Sequence, residues 1–113
     1  MGKPEGTIES HLIYKCNQYG FICRKYVSPG HNGVPDRIVI ARGHTVFIEL
    51  KSATGKLSEI QKREIKRMLK EGADVRIYDS KESINEFINE ALSWEMPVIK
   101  IPKDVAERLK NKT

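Results

Sequence analysis

The sequence is poor in the residues that announce most small-domain chemistries. It has 2 cysteines in 113 residues, Cys16 and Cys23. They form no CxxC, which excludes a disulfide framework and fits reduced thiols in a cytosol. The 3 histidines, His11, His31 and His44, have no i,i+4 partner and no cysteine neighbour, so no zinc site is expected. Gly43 and Gly55 are isolated, and neither a P-loop nor a dinucleotide fingerprint exists. No apolar run approaches the ~20 residues that span a bilayer. The opening Met-Gly-Lys-Pro-Glu-Gly lacks the apolar stretch of a signal peptide, so a cytoplasmic protein without a membrane partner is expected. Repeats and low-complexity tracts are missing too. What remains is 39% hydrophobic and 31% charged residues, the composition of one folded domain that buries about 65% of its unfolded surface. Lys+Arg number 20 against 15 Asp+Glu, a net +5 that hints at a polyanionic partner and by itself decides little.

Local patterns define the elements. Thr7 is placed to cap a helix from Ile8 to about Tyr19, closed by Gly20. Phe21–Val27 is aromatic and β-branched, as strands are, and residues 28–35 are turn formers throughout. Two strands, Asp36–Ala41 and Thr45–Lys51, flank Arg42-Gly43-His44 as a hairpin. Ser58-Glu59-Ile60-Gln61 is a capping box that opens a helix ending at Gly72. A short strand, Val75–Tyr78, and a helix, Ser83–Leu92 with Ile84, Phe87, Ile88 and Leu92 on one side, complete the order α-β-β-β-α-β-α. That order predicts an α/β fold, a mixed sheet flanked by helices. Residues 1–92 form the domain. Residues 93–113 form an extension in which Trp94, Met96, Val98, Ile99 and Ile101 read either as an added strand on the same core or as a dimer patch, followed by a helix Asp104–Lys110.

Several polar residues fall where apolar ones belong. On the first helix Ile8, Leu12, Ile13, Cys16 and Tyr19 share an arc of about 140°, and Glu9 lies inside it. On the second, Leu57, Ile60, Ile65, Met68 and Leu69 share an arc with Gln61 in its middle. Inward-directed polar groups cost a few kcal/mol unless satisfied. The helix dipole is one explanation for Glu9, and the capping box is one for Gln61.

In the second hairpin strand the period of two puts Glu49 and Lys51 on one face and Val46, Ile48 and Leu50 on the other. Either two-residue hairpin loop sends Asp36 to the Glu49/Lys51 face. A three-residue loop would set it opposite Leu50. Pro35 fixes the backbone before Asp36, and Gly33 permits a close approach. Two carboxylates at a strand end repel, and a divalent cation with hard oxygen ligands, Mg²⁺ or Mn²⁺, would relieve them. A solvated sheet edge with an ordinary Glu–Lys pair is the alternative.

Asp36 followed by Glu49-Leu50-Lys51 has the form of the PD-(D/E)xK signature of metal-dependent nucleases. With Gly33-Val34-Pro35-Asp36 in full, Leu57-Ser58-x-x-Gln61 after the ExK strand and Glu9 on a preceding helix, residues 7 to 90 resemble the short stand-alone VRR-NUC nucleases of bacteriophages and bacteria. The resemblance implies a restriction-endonuclease-like core, a Mg²⁺ or Mn²⁺ cofactor and hydrolysis of phosphodiesters in DNA. Branched or Holliday-junction DNA is the implied substrate and a homodimer the implied assembly. Flap, nick or duplex cutting, or a DNA-binding module that does not cut, are the alternatives. It also implies roles: Asp36, Glu49 and the main-chain carbonyl of Leu50 as metal ligands, Lys51 to activate water or stabilise developing charge, Glu9 to serve the metal directly or through water, and Gln61 to hold Lys51 or a ligand.

The charge has an address. Residues 51–70 hold seven basic residues (Lys51, Lys56, Lys62, Arg63, Lys66, Arg67, Lys70) against Glu59 and Glu64, a local +5, while residues 71–95 sum to −5. The five from Lys62 to Lys70 line the helix face opposite the apolar arc. With Lys56, this is either a solvated face or the surface that meets DNA phosphates.

Overall fold

The first helix, α1 (Pro4–Gln18), begins three residues ahead of Thr7, so Thr7 lies inside it and is not its cap. Proline suits a first helical turn because its missing N–H would have no partner there. The other end closes as expected, with the Gly20 N–H bonded to Asn17 O and the Phe21 N–H to Cys16 O. The computed structural model describes residues 4–110, of which residues 4–6 by backbone alone.

Four strands, β1 (Ile22–Lys25), β2 (Arg37–Ala41), β3 (His44–Leu50) and β4 (Asp74–Tyr78), form one sheet in sequential order. β1–β2 and β2–β3 pair antiparallel and β3–β4 parallel, giving the mixed sheet expected. β1 and β2 are three residues and one residue shorter than their patterns, because the loop 26–36 takes residues at its mouth, while β3 is shifted by one and β4 is one residue longer. The parallel pair needs a crossover, supplied by α2 (Glu59–Lys70). α3 (Lys81–Ser93) and α4 (Lys103–Lys110) follow.

The hairpin turn is Arg42-Gly43, with φ of 47° and 85°. Paired left-handed residues make the turn whose twist matches that of the strands it joins. It sets the register Ala41↔His44 through Arg37↔Ile48, so the first of the two-residue loops forms.

The main core lies on one face of the sheet. There Val39, Ala41, Val46, Ile48 and Leu50 meet Leu12 and Cys16 of α1 and Ile84, Phe87, Ile88 and Ala91 of α3. The Cys23 thiol of β1 is hydrogen-bonded to that of Cys16. This bond, with burial, drives the Cys16 thiol far above its ordinary value. A buried, protonated thiol is inert.

The extension departs from one of its two readings. No strand forms at 98–101; Val98 and Ile99 are each 81% exposed. Its first residues are nonetheless anchored at the hairpin turn: Trp94 stacks on His44 at 3.9 Å, and Arg42 donates to the carbonyls of Leu92 and Trp94. Pro97 and Pro102 withhold the amides that a further ladder would need. Among the described residues no helix is long and apolar enough to cross a membrane.

Candidate active site at the open end of the hairpin

Opposite the turn, Asp36 comes just before the first residue of β2, and Glu49 is the last but one residue of β3. The register that pairs Arg37 with Ile48 places these two acids across from each other one step further out. Asp36 is pinned from both sides. Its carbonyl accepts the Tyr26 N–H at 2.9 Å, and its Oδ2 accepts the Leu50 N–H at 2.8 Å. Pro35 explains the second bond. In a regular ladder Pro35 would face Leu50 and exchange two hydrogen bonds with it, yet proline has no N–H. The ladder therefore stops, and the Asp36 side chain takes over the Leu50 amide. Its Oδ1 accepts no hydrogen bond from the described residues.

Glu49 is the one buried charged residue among those described, at 2% exposure. Burying a carboxylate is costly without compensation. Two groups converge on its Oε2: the Gln61 amide, donating at 3.0 Å, and the Lys51 ammonium at 3.5 Å. Lys51 lies just beyond β3, with its N–H bonded to Tyr78 O, so the strand path carries on and returns its side chain to the face of Glu49.

Gln61 does two things at once. Its Oε1 accepts the Ser58 N–H at 2.9 Å while the Ser58 hydroxyl accepts the Gln61 N–H, the reciprocal capping box expected from the sequence. Its Nε2 is then left to face Glu49. The cap and the bond to Glu49 share one side chain, so the start of α2 is fastened to the open end of the hairpin.

Glu9 stands elsewhere. Its carboxylate is paired with Arg37 at 2.8 Å. Arg37 shares the core face of β2 with Val39 and Ala41, so two polar groups on facing elements answer each other. No three His, Cys, Asp or Glu side chains gather into a metal cluster among the described residues, so Glu9 is not brought to Asp36 and Glu49. The sequence reading passed over Arg37. Its signal was present: a charged residue two positions before Val39 on the core-facing parity of β2.

The basic residues are all on the exposed side of the molecule, from Lys56 through Lys70. Lys62 forms an ion pair with Glu59 at 3.3 Å. The apolar arc of α2 is thinner than its pattern: Ile65 is buried, but Ile60 and Leu69 are 48% and 50% exposed.

Comparison with known proteins gives these features a context. A protein named "Putative nuclease p44", from Acyrthosiphon pisum secondary endosymbiont phage 1, is 39% identical over 79 residues, which cover 69% of this chain and 85% of that protein. A solved structure described as "VRR_NUC domain" superposes with a TM-score of 0.72 and 29% identity, over 78% of this chain and 97% of the other. A second, "VRR_NUC domain protein", shares the fold with a TM-score of 0.65 at 18% identity, over 84% and 93% of the two chains. No protein-family model matches the chain.

Proposed function

The chain belongs to the VRR-NUC family of nucleases, and from that premise we propose that it is a Mg²⁺- or Mn²⁺-dependent DNA endonuclease that cuts branched DNA, such as a four-way junction, as a homodimer. The observation that carries this reading is the convergence of Asp36, Glu49, Lys51 and Gln61 at one sheet end, with Glu49 buried and shared by the last two.

The donor set suits a hard divalent cation. Asp36 and Glu49 offer carboxylate oxygens, the hard ligands that Mg²⁺ and Mn²⁺ prefer. The Leu50 carbonyl joins them for a backbone reason. A strand residue points its N–H and C=O to the same side, and the Leu50 N–H points at Asp36. Pro35, opposite, has no N–H to give that carbonyl. Glu9, held by Arg37, would reach the ion through water only. When bound, such an ion lowers the pKa of a coordinated water and neutralises phosphate charge.

The protein's own groups do the rest. Hydrolysis forms a bond from the water oxygen to phosphorus and breaks one phosphorus–ester oxygen bond, and the leaving oxygen takes a proton. Negative charge grows on the phosphoryl oxygens on the way. The Lys51 side chain, 18% exposed, is a fixed positive charge in a partly dry site, where such a charge acts most strongly. Gln61 keeps the Glu49 carboxylate in one orientation. Two cuts in strands of like polarity require two sites related by a two-fold axis, which a homodimer provides.

The test is a cleavage panel: four-way junction, flap and linear duplex, each with Mg²⁺, Mn²⁺ or EDTA. Metal-dependent cutting with preference for the junction is expected. Cutting of linear duplex at the same rate would remove the branched-DNA assignment, and no cutting of any substrate would leave a DNA-binding module. Sedimentation at working concentration tests the dimer, and a monomer there counts against paired junction cuts.

A further inference from the structure

A cleft of about 170 Å³ opens between the loop that precedes Asp36 and the exposed side of α2. Its walls are His31 and Asn32 from the loop, and Ile60, Arg63, Glu64 and Arg67 from the helix. At ~30 Å³ per water it holds several waters, room enough for one phosphate group.

The loop wall is held in place. The turn Ser28-Pro29-Gly30-His31 closes with the His31 N–H on Ser28 O at 3.0 Å, and His31 Nδ1 stands 3.4 Å from the Pro29 carbonyl oxygen. Gly33, at φ 88°, lies so close to α2 that a Cβ there would sit 2.8 Å from Ile60 Cγ2 and 2.9 Å from the Ile60 carbonyl oxygen. The same contact ties the cleft to the active site. Three residues beyond Gly33 comes Asp36, and next to Ile60 comes Gln61, which holds Glu49.

The basic face of α2 is therefore not uniform. Lys62 is paired with Glu59, whereas Arg63 and Arg67, one turn apart, line the cleft with no ion pair to a described residue. Two guanidiniums against the single Glu64 carboxylate leave +1, which balances one phosphodiester and falls short of a dianionic terminal phosphate. Guanidinium forks match paired phosphate oxygens, and the Asn32 carboxamide adds donors without charge.

We propose that this cleft seats one phosphodiester of the bound DNA strand, flanking the one that is cut, with Arg63 and Arg67 on its non-bridging oxygens and Asn32 bonding it from the loop. The assignment rests on the reading that the ligand is DNA, and it makes the loop before Asp36 part of the register that selects the cut position.

Uncharged methylphosphonate linkages, placed singly along the strands of a four-way junction and of a duplex, test it by binding anisotropy in EDTA. One linkage near the cut position should weaken wild-type binding about tenfold, the scale of one lost charge-assisted contact. That linkage should be silent in Arg63→Ala/Arg67→Ala, which should also lower the slope of log K against log salt by about 1, the share of one phosphate. Asn32→Ala should weaken binding without changing that slope. If no single linkage distinguishes the double variant from wild type, or if Lys62→Ala/Lys66→Ala erases the same signal, the cleft is not the seat. Because binding is read without metal, the two readings separate. A protein with this signature that cuts nothing refutes the nuclease and keeps the cleft. One that cuts without the signature does the reverse.

Discussion

The two faces of the sheet are built to different ends. On the α1/α3 face, Val39, Val46, Ile48, Leu12, Ile84 and Phe87 are almost wholly buried, and the polar exception, Arg37, has its ion-pair partner at the rim. On the α2 face the side chains of Ile38 and Phe47 are half-buried, Ile60 and Leu69 are half-exposed, and the deepest group is the Glu49 carboxylate. The first face supplies the apolar burial that holds a domain of this size together. The second gives up part of that burial to keep a charge out of water. The apolar core and the candidate site are thus placed back to back on strands β2 and β3, which lets alternate residues of one strand serve each.

That division can be broken. Phe87→Ala, on the core face, should destabilise the protein by about 3–5 kcal/mol, read as a lower denaturation midpoint, with cleavage per folded molecule retained. A loss of cleavage in the fully folded fraction would mean that the faces are coupled. Glu49→Gln is its mirror image. Cleavage should fall by about 10²–10³-fold, the usual cost of a preorganised charged group, while thermal stability stays level or rises because a buried charge is gone. A clear drop in melting temperature would show that the carboxylate serves the fold. Lys51→Ala should behave likewise in rate, with DNA binding intact.

Gln61 sharpens the comparison because it belongs to both sides. Gln61→Glu keeps the oxygen that accepts the Ser58 amide but sets a second carboxylate against Glu49. Cleavage should drop by about tenfold or more through like-charge repulsion, with helix content by circular dichroism unchanged. Gln61→Ala should lose both functions and cost about 1 kcal/mol as well. The smallest effect is expected from ending the chain after Trp94. The exposed Met96, Val98 and Ile99 leave with the tail, the melting temperature of the domain should move by only a few degrees, and a shift from dimer to monomer in sedimentation would locate the contact between copies there.

Much of this is legible in the sequence alone. The reciprocal Ser58–Gln61 cap and the approach of Gly33 to another element are local chemistry, and each appears where the residues put it, while the Arg42-Gly43 turn is one of the loops the sequence allowed. The alternation in 45–51 was enough to set Glu49 and Lys51 together and, through the turn, Asp36 with them. Three readings erred where local signals had competitors. Thr7 looked like a cap, but Pro4 suits a first turn equally well and the helix starts there. Val98–Ile101 has strand composition, but it is bracketed by two prolines and joins no ladder. Ile60 and Leu69 have helical spacing, yet α2 covers a narrow part of the sheet and leaves them at its borders.

Several hairpin loops were open to the sequence, and the structure chose the one that sets Asp36 opposite Glu49. The order of elements and the common face of Glu49 and Lys51 follow from short-range rules, the strand period of two above all. Those rules act over a few residues, so the sequence by itself determined them, along with the concentration of positive charge in residues 51–70. Partner choice across the sheet is another matter. That Glu9 answers Arg37, that the Gln61 amide nitrogen is the end that reaches Glu49, and that His31 and Asn32 share a cleft with Arg63 and Arg67 depend on distances between elements far apart in the chain. Those distances are set by how α1, α2 and the loop before Asp36 settle on the sheet, so the tertiary structure alone decided them.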